Sequence, residues 1–167
     1  MLPRSIVPRA GSIVPASSTH EDQIIQNAIA LLEQRLFHAG PVLPNLSAVQ
    51  DYLRLQLAAE PNEVFAVLFL NNRSRLLAYE PLFQGTVNGV NIYPRLVIQR
   101  TLAHNAASVI LAHQHPSGSI EPSLADRAMT RRLQTALDAI DVRVLDHLIV
   151  GKGEPYSFSA AGLLNPV

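Results

Sequence analysis

The sequence lacks three features that would each point to a particular class of protein: cysteine, net charge and long apolar segments. Without cysteine, disulfides, thiolate metal ligands and cysteine nucleophiles are excluded. Thirteen basic residues balance thirteen acidic ones. The composition therefore gives no sign of the basic surface that binds a phosphate backbone, and direct nucleic-acid binding is not expected.

The longest unbroken apolar run is VFAVLFL, residues 64–70, which is far too short to cross a bilayer as a helix. The first residues show neither the apolar region nor the cleavage pattern of a secretion signal. With 48% apolar and 16% charged residues, the composition is that of a globular domain. We therefore expect a soluble, cytoplasmic protein.

Residues 1–19 contain three prolines and repeat the motif SIVP at 5–8 and 12–15. Closely spaced prolines disfavour a helix, so this segment is predicted to be an extended, partly ordered arm. Alternatively, the paired Ile-Val dipeptides dock on a neighbouring subunit of a homo-oligomer.

Residues 20–60 have the apolar spacing of helices. We predict one helix over 20–37, with Ser18 and Glu21 as its capping box, and a second starting near Leu46. Ser47 and Gln50 have the spacing of a capping box for that second helix, and Pro61 ends it.

Residues 61–167 mix strand and helix patterns around apolar runs. The predicted elements are a hairpin over 63–83, a helix from Pro94 to about Asn105, a buried strand over 108–115, a helix over 123–140, and a strand in VRVLDHLIVG. Such a mixture predicts an α/β domain with a mixed central β-sheet flanked by helices.

The stretch LAHQHPSGSIEPSLAD carries the candidate chemistry. Alternate residues of a strand share a face, so His113 and His115 project together while Gln114 faces the other side. Asp126 follows eleven residues after His115, across a Pro-Ser-Gly turn, at the start of a predicted helix. Three such ligands form an open catalytic metal site. The plainer alternative is that Ser123 and Asp126 are only a helix capping box.

HQHPSGSIEPSLAD resembles the JAMM signature of the MPN/JAB metallopeptidases, with seven residues separating His115 from Ser123 and two more before Asp126. It is more similar still to the RadC-like branch of that superfamily. GTVNGVNIYPR, DHLIVG and YSFSAAGLL also resemble that branch, so the resemblance covers about residues 60–163. Gln114 stands where the branch has asparagine.

The resemblance implies a JAB/MPN-like, cytidine-deaminase-like fold for residues 61–167. It also implies that His113, His115 and Asp126 bind Zn²⁺, which activates a water. Glu63 would then be the general base, and Ser123 would stabilise the oxyanion during hydrolysis of a peptide or isopeptide bond in an unknown protein.

From the residues alone Glu63 is an ordinary charged flank of a strand, and Glu60 and Glu80 compete for the role of base. Two other functions stay open: a non-catalytic, metal-stabilised interaction module, and a DNA-repair accessory protein of the RadC type. A zinc nucleobase deaminase is excluded, because its Cys-x-x-Cys element is absent.

Four further residues have structural interpretations. His147 is expected to be hydrogen-bonded, either in the sheet core or behind the metal site, and Asp146 to face the other side. Gly118 is expected to adopt an unusual backbone angle in the turn, and His104, near a helix end, to be either a charge at the helix C-terminus or a surface residue.

Overall fold

A computed structural model describes residues 19–38, 46–57, 60–85 and 91–164 of the chain. The helices in these residues are α1 (His20–His38), α2 (Leu46–Leu57), α3 (Pro94–Ala103) and α4 (Leu124–Asp138). The strands are β1 (Val64–Leu70), β2 (Leu76–Gln84), β3 (Ser108–Gln114), β4 (Arg143–Val150) and β5 (Tyr156–Ser157). The expected α/β class is thus confirmed, and the predicted hairpin forms β1 and β2.

The strands form one mixed sheet in the order β2-β1-β3-β4-β5. β1 pairs antiparallel with β2 and β3, whereas β3 pairs parallel with β4, and α4 makes the crossover between them. Every residue of β1 and of β3 is buried, because both faces of these central strands are covered. This burial explains why VFAVLFL is a continuous apolar run and not an alternating one.

Alternate strand residues feed two separate cores. On one face, Leu68, Ile110 and Leu148 pack with Leu53 and Leu57 of α2. On the other face, strand side chains pack with Val97 of α3 and with Leu133 and Leu137 of α4. These strand side chains are Phe65, Val67, Phe69, Val109, Leu111 and Val144. α2 therefore packs on the sheet. The predicted boundary between a helical segment, 20–60, and the domain of 61–167 stays a prediction.

Helix ends differ from the predictions by one or two residues. The N-terminal box of α1 is formed by Thr19 and Asp22, whose side chains accept from each other's backbone N–H at 3.2 and 2.8 Å. The predicted box of Ser18 and Glu21 was therefore one residue too early, and Ser18 itself lies outside the described residues. α3 ends at Ala103, since Asn105 has a φ of 50° that a right-handed helix does not allow.

α2 begins at Leu46, so Ser47 lies inside the helix and not before it as its predicted cap. The predicted N-terminal arm with its SIVP repeat lies outside the described residues, apart from Thr19, and so does most of GTVNGV. None of the helices among the described residues is long and apolar enough to cross a membrane.

Candidate metal centre

The centre lies where β3 ends and α4 begins. His113 is buried near the end of β3 with its ring stacked on Phe65, at a centroid distance of 6.3 Å. His115 follows just after the strand, and its Nε2 lies 2.9 Å from Nε2 of His113. The two imidazoles therefore converge, as the alternation of the strand predicts.

Asp126 brings a carboxylate to the same point from the first turn of α4. Its Oδ1 lies 3.3 Å from Nε2 of His113, and its Oδ2 lies 3.5 Å from Nε2 of His115. Ligands at zinc distances on a tetrahedron are separated by about 3.3 Å. The contact between the histidines and the contact of His113 with Oδ1, at 2.9 and 3.3 Å, are close to that value, and one ligand atom from each of the three residues lies within 4.8 Å of the other two. The three residues can therefore hold a metal ion and leave one corner of a tetrahedron open.

Ser123 is the N-cap of α4 and forms a capping box with Asp126. The hydroxyl of Ser123 accepts from the backbone N–H of Asp126 at 3.1 Å and donates to its Oδ2 at 2.6 Å. The backbone N–H of Ser123 donates to the same oxygen at 2.7 Å. The cap and the metal cluster are therefore one structure, because the cap fixes the rotamer of the carboxylate.

The electrostatics of the cluster favour an ionised carboxylate. Burial opposes ionisation of Asp126, yet the facing imidazoles of His113 and His115 and the hydroxyl of Ser123 hold its pKa well below the ordinary value. The pKa of His115 is raised because its protonated ring donates to Asp126; desolvation opposes this rise, and the negative charge of Glu63 adds to it. The cluster thus favours a cation, which is either a proton or a metal.

The turn after β3 fixes the orientation of His115. Its Nδ1 lies 2.9 Å from the carbonyl oxygen of Ser119, which can only accept, so Nδ1 carries a hydrogen and, in the neutral ring, the Nε2 lone pair faces the cluster. Gly118 has a φ of 80°, which confirms the predicted unusual backbone angle. A Cβ at Gly118 would come within 2.9 Å of the flexible Lys152 side chain, which would have to move, so the backbone angle is what requires glycine here.

The three candidate bases have different surroundings. Glu63 directly precedes β1, is half-buried, and lies near enough to His115 for its charge to act on that imidazole. Glu80 accepts hydrogen bonds from both Nε and a terminal nitrogen of Arg100 and contacts Nε2 of His104 at 2.7 Å. Glu60 is exposed. Of the three, Glu63 is the one whose charge acts on a histidine of the cluster.

Gln114 has a role that the sequence did not indicate. Its Oε1 accepts from the backbone N–H of Val64 at 3.0 Å. Its Nε2 donates to the carbonyls of Glu60 and Asn62, at 3.0 and 2.7 Å. As expected, these contacts are not with the metal ligands; they instead fix the backbone on both sides of Glu63.

Behind the cluster lies His147, which is fully buried on β4. Its Nε2 is 2.8 Å from Nδ1 of His113, and its Nδ1 is 2.7 Å from the hydroxyl of Thr130, which the sequence did not single out. Desolvation by burial lowers the pKa of His147 well below the ordinary value. His147 is therefore hydrogen-bonded, as expected, and it lies both in the core beside Phe65 and Phe158 and behind the candidate cluster.

Two remaining residues belong to the periphery. Asp146 accepts from the hydroxyl of Ser157 at 2.6 Å and from the backbone N–H of Ser159 at 2.9 Å, and so ties the C-terminal segment to β4. His104 is the C-cap of α3, which agrees with the expected position at a helix C-terminus; it is half-buried against Phe69 and bonded to Glu80, and so is not a free surface residue.

Residues 43–163 match the family model described as RadC-like JAB domain. The chain is 55% identical over 141 residues to the UPF0758 protein of Cellvibrio japonicus, covering 82% of the chain and 63% of that relative. It is 49% identical over 161 residues to the UPF0758 protein of Azotobacter vinelandii, covering 96% and 71%. With that of Nitrosococcus oceani it shares 57% over 125 residues, covering 75% and 56%. The chain therefore spans from 56 to 71% of the length of these relatives, and their names state no activity.

Proposed function

Because the chain belongs to the family of RadC-like JAB domains, we propose that it is a zinc-dependent hydrolase that cleaves a peptide or isopeptide bond in a protein. The observation that carries the proposal is the convergence of His113, His115 and Asp126 on one point, with the charge of Glu63 acting on the same cluster. The single open corner of such a ligand set is typical of catalytic zinc sites and not of structural ones.

The donor set favours zinc over harder cations. Two imidazole nitrogens and one carboxylate suit zinc, whereas magnesium and calcium prefer oxygen ligands alone. When bound at an open site, zinc acidifies a water and polarises a carbonyl. Burial of His113 and Asp126 keeps competing solvent away from the ligand atoms.

Hydrolysis requires a group that carries a proton from the attacking water to the leaving nitrogen. In the proposal, the Glu63 carboxylate accepts that proton as the water oxygen bonds to the carbonyl carbon. It then returns the proton to the amine as the C–N bond breaks. Gln114 holds the backbone on either side of this base.

In the proposal, Ser123 has two roles, and the first of them limits the second. Its hydroxyl hydrogen is donated to Asp126, so stabilisation of an oxyanion requires the hydroxyl to rotate away from the carboxylate. We therefore assign Ser123 first to the orientation of Asp126 and second to the oxyanion.

The proposal is tested by metal analysis and by proteolysis with the purified chain. We expect about one zinc per chain. We also expect cleavage of members of a mixed pool of linear and isopeptide-linked peptides, read by mass spectrometry. Glu63→Gln should keep the zinc and lose turnover by about 10²- to 10⁴-fold, while Glu60→Gln, a matched control, keeps both. A wild-type chain without zinc, or equal turnover in Glu63→Gln, would contradict the proposal.

One observation favours the second candidate, a metal-stabilised interaction module without turnover. The hydroxyl of Ser123 is engaged by Asp126 and not presented to a substrate. For such a module, zinc would raise the melting temperature of the wild type and not of His113→Ala, and no peptide in the pool would be cleaved.

A further inference from the structure

His113 is in contact with a buried series of polar groups that the proposed reaction does not use. The series runs from the carbonyl of Asp126 through Thr130 and His147 to His113. We propose that Thr130 and His147 are positioning residues that hold His113 in the tautomer whose Nε2 lone pair points into the metal centre. The inference rests on the proposed metal centre, although its first steps concern the protein alone.

The direction of the series is set at Thr130. Its Oγ1 lies 2.6 Å from the backbone carbonyl oxygen of Asp126. A carbonyl can only accept, so the one hydroxyl hydrogen of Thr130 is donated there. The same Oγ1 lies 2.7 Å from Nδ1 of His147, and because its hydrogen is already used, it accepts from an Nδ1–H.

The donor-to-acceptor direction of the hydrogen bonds continues through His147 because its ring is neutral. The ring is fully buried, stacks on Phe158 at 4.6 Å and meets the edge of Phe65 at 5.9 Å. Such surroundings disfavour an imidazolium. A neutral ring with hydrogen on Nδ1 has its lone pair on Nε2, and that atom lies 2.8 Å from Nδ1 of His113.

The consequence for His113 is a single tautomer. Its Nδ1 donates to His147, so its Nε2 carries the lone pair that faces Asp126 and His115. The opposite order would direct an N–H of His113 at the neighbouring imidazole and prevent coordination. Asp126 therefore acts at both ends, because its carboxylate is a ligand and its carbonyl fixes the tautomer of another ligand.

Thr101 shows that the first bond of the series is ordinary. This buried threonine of α3 also donates to the carbonyl four residues earlier, at 2.7 Å to Val97. Among the described residues, no contact between its hydroxyl and an imidazole is found. The contact with His147 is therefore what distinguishes Thr130, and Thr101 provides a matched control.

The test compares Thr130→Val, Thr130→Ser and Thr101→Val in the full chain. Valine keeps the shape of threonine and removes the hydroxyl, while serine keeps the hydroxyl. Competition with a chromophoric chelator should show that Thr130→Val weakens zinc binding by about 10- to 100-fold. Thr130→Ser should restore the affinity to within about threefold, and Thr101→Val should leave it unchanged. Melting temperatures check that each variant is folded.

Long-range proton–nitrogen NMR spectra of the zinc-free, histidine-labelled protein test the tautomers directly. In mildly alkaline buffer, wild-type His147 and His113 should both carry hydrogen on Nδ1, and Thr130→Val should show a mixture. Hydrogen on Nε2 of His147 in the wild type would overturn the inference. The inference would also be overturned if Thr130→Val bound zinc with wild-type affinity while His113→Ala did not bind zinc. A wild type that binds no zinc would defeat the proposed function, while the NMR result would still decide the tautomers.

Discussion

Two clusters of a carboxylate with histidine occur in the described residues, and they differ in what neutralises the carboxylate. Glu80 is bound by the guanidinium of Arg100 in a two-pronged contact and also by His104. Asp126 is contacted by two imidazoles and a hydroxyl. The first cluster includes a permanent cation of its own, whereas the second acquires one only by binding a proton or a metal.

The comparison teaches that residue type alone does not separate a structural cluster from a metal centre. Arginine stays protonated at any physiological pH, so the Glu80 cluster is electrostatically complete. In the Asp126 cluster, the hydrogen bond to Ser119 directs the Nε2 lone pair of His115 inwards, and that atom lies 2.9 Å from Nε2 of His113. Converging lone pairs repel unless a cation lies between them, and this repulsion favours metal binding.

The largest expected effect comes from removing the carboxylate charge in each cluster. Asp126→Asn should weaken zinc binding by more than about 100-fold, beyond the range for groups outside the ligand set. Glu80→Gln, the matched control, should leave zinc affinity unchanged, since its cluster is complete without metal. Chelator competition measures both, and equal losses in the two variants would erase the distinction between the clusters.

A smaller effect, on turnover alone, is expected from a substitution that misplaces the proposed base Glu63 relative to the cluster. Gln114→Leu removes the hydrogen bonds that hold the backbone around Glu63, so turnover should fall by roughly 10- to 100-fold through misplacement of the base. Zinc affinity should stay at the wild-type value, because the Gln114 side chain faces away from the ligands.

Gln56→Leu, a substitution of a half-buried glutamine on α2, serves as the control and should leave turnover unchanged. Steady-state kinetics together with a zinc titration separate the two readouts. A fall in zinc affinity that parallels the fall in turnover of Gln114→Leu would show that the base and the ligands are not held independently.

The smallest expected effect is the contribution of Glu80 to stability. Although burial opposes ionisation, the hydrogen bonds from Arg100 and His104 lower its pKa below the ordinary 4.5. A lowered folded-state pKa gives stability that is present above the unfolded-state value and lost as the pH falls through the folded-state value. Glu80→Gln should thus reduce the free energy of unfolding by about 1 kcal/mol near neutrality, with the half-exposed Arg100 limiting the gain.

Urea unfolding of wild type and Glu80→Gln from neutral pH to acid measures this contribution. The difference between the two proteins should be constant above pH 4.5 and shrink below it. A difference that persists into strong acid would mean that Glu80 acts through packing and not through its charge.

Residues close together in sequence account for what could be predicted. The alternation of a strand was enough to bring His113 and His115 together, and a capping box was enough to place Asp126 at a helix start. The apolar run and the polar turn after it predicted the hairpin that β1 and β2 form. Each of these patterns is contained within one or two neighbouring elements.

What was missed depends on pairing between distant segments. The contact of Thr130 with His147 requires the crossover helix α4 to lie against β4. The hydrogen bonds of the Gln114 side chain require it to face a backbone segment that lies about 50 residues earlier in the chain. Neither separation leaves a periodic pattern in the sequence. The one-residue shift of the α1 cap has a different cause, since serine and threonine at neighbouring positions are nearly equivalent caps.

The parallel pairing of β3 with β4 determines which part of the chain contains the cluster. The contact of His113 with His147 joins residues 34 apart within a single strand–helix–strand unit. The hydrogen bond of Gln114 with Val64, next to Glu63, joins residues 50 apart. Shorter closures cost less chain entropy. Between closures of 34 and 50 residues, however, this difference is only about 0.3 kcal/mol. What separates the two contacts is topology: the ligands and their supports lie in one strand–helix–strand unit, whereas the segment of Glu63 is joined to them through β1. The proposed metal ligands then belong to one contiguous part of the chain, whereas the proposed turnover also requires β1 in the completed sheet.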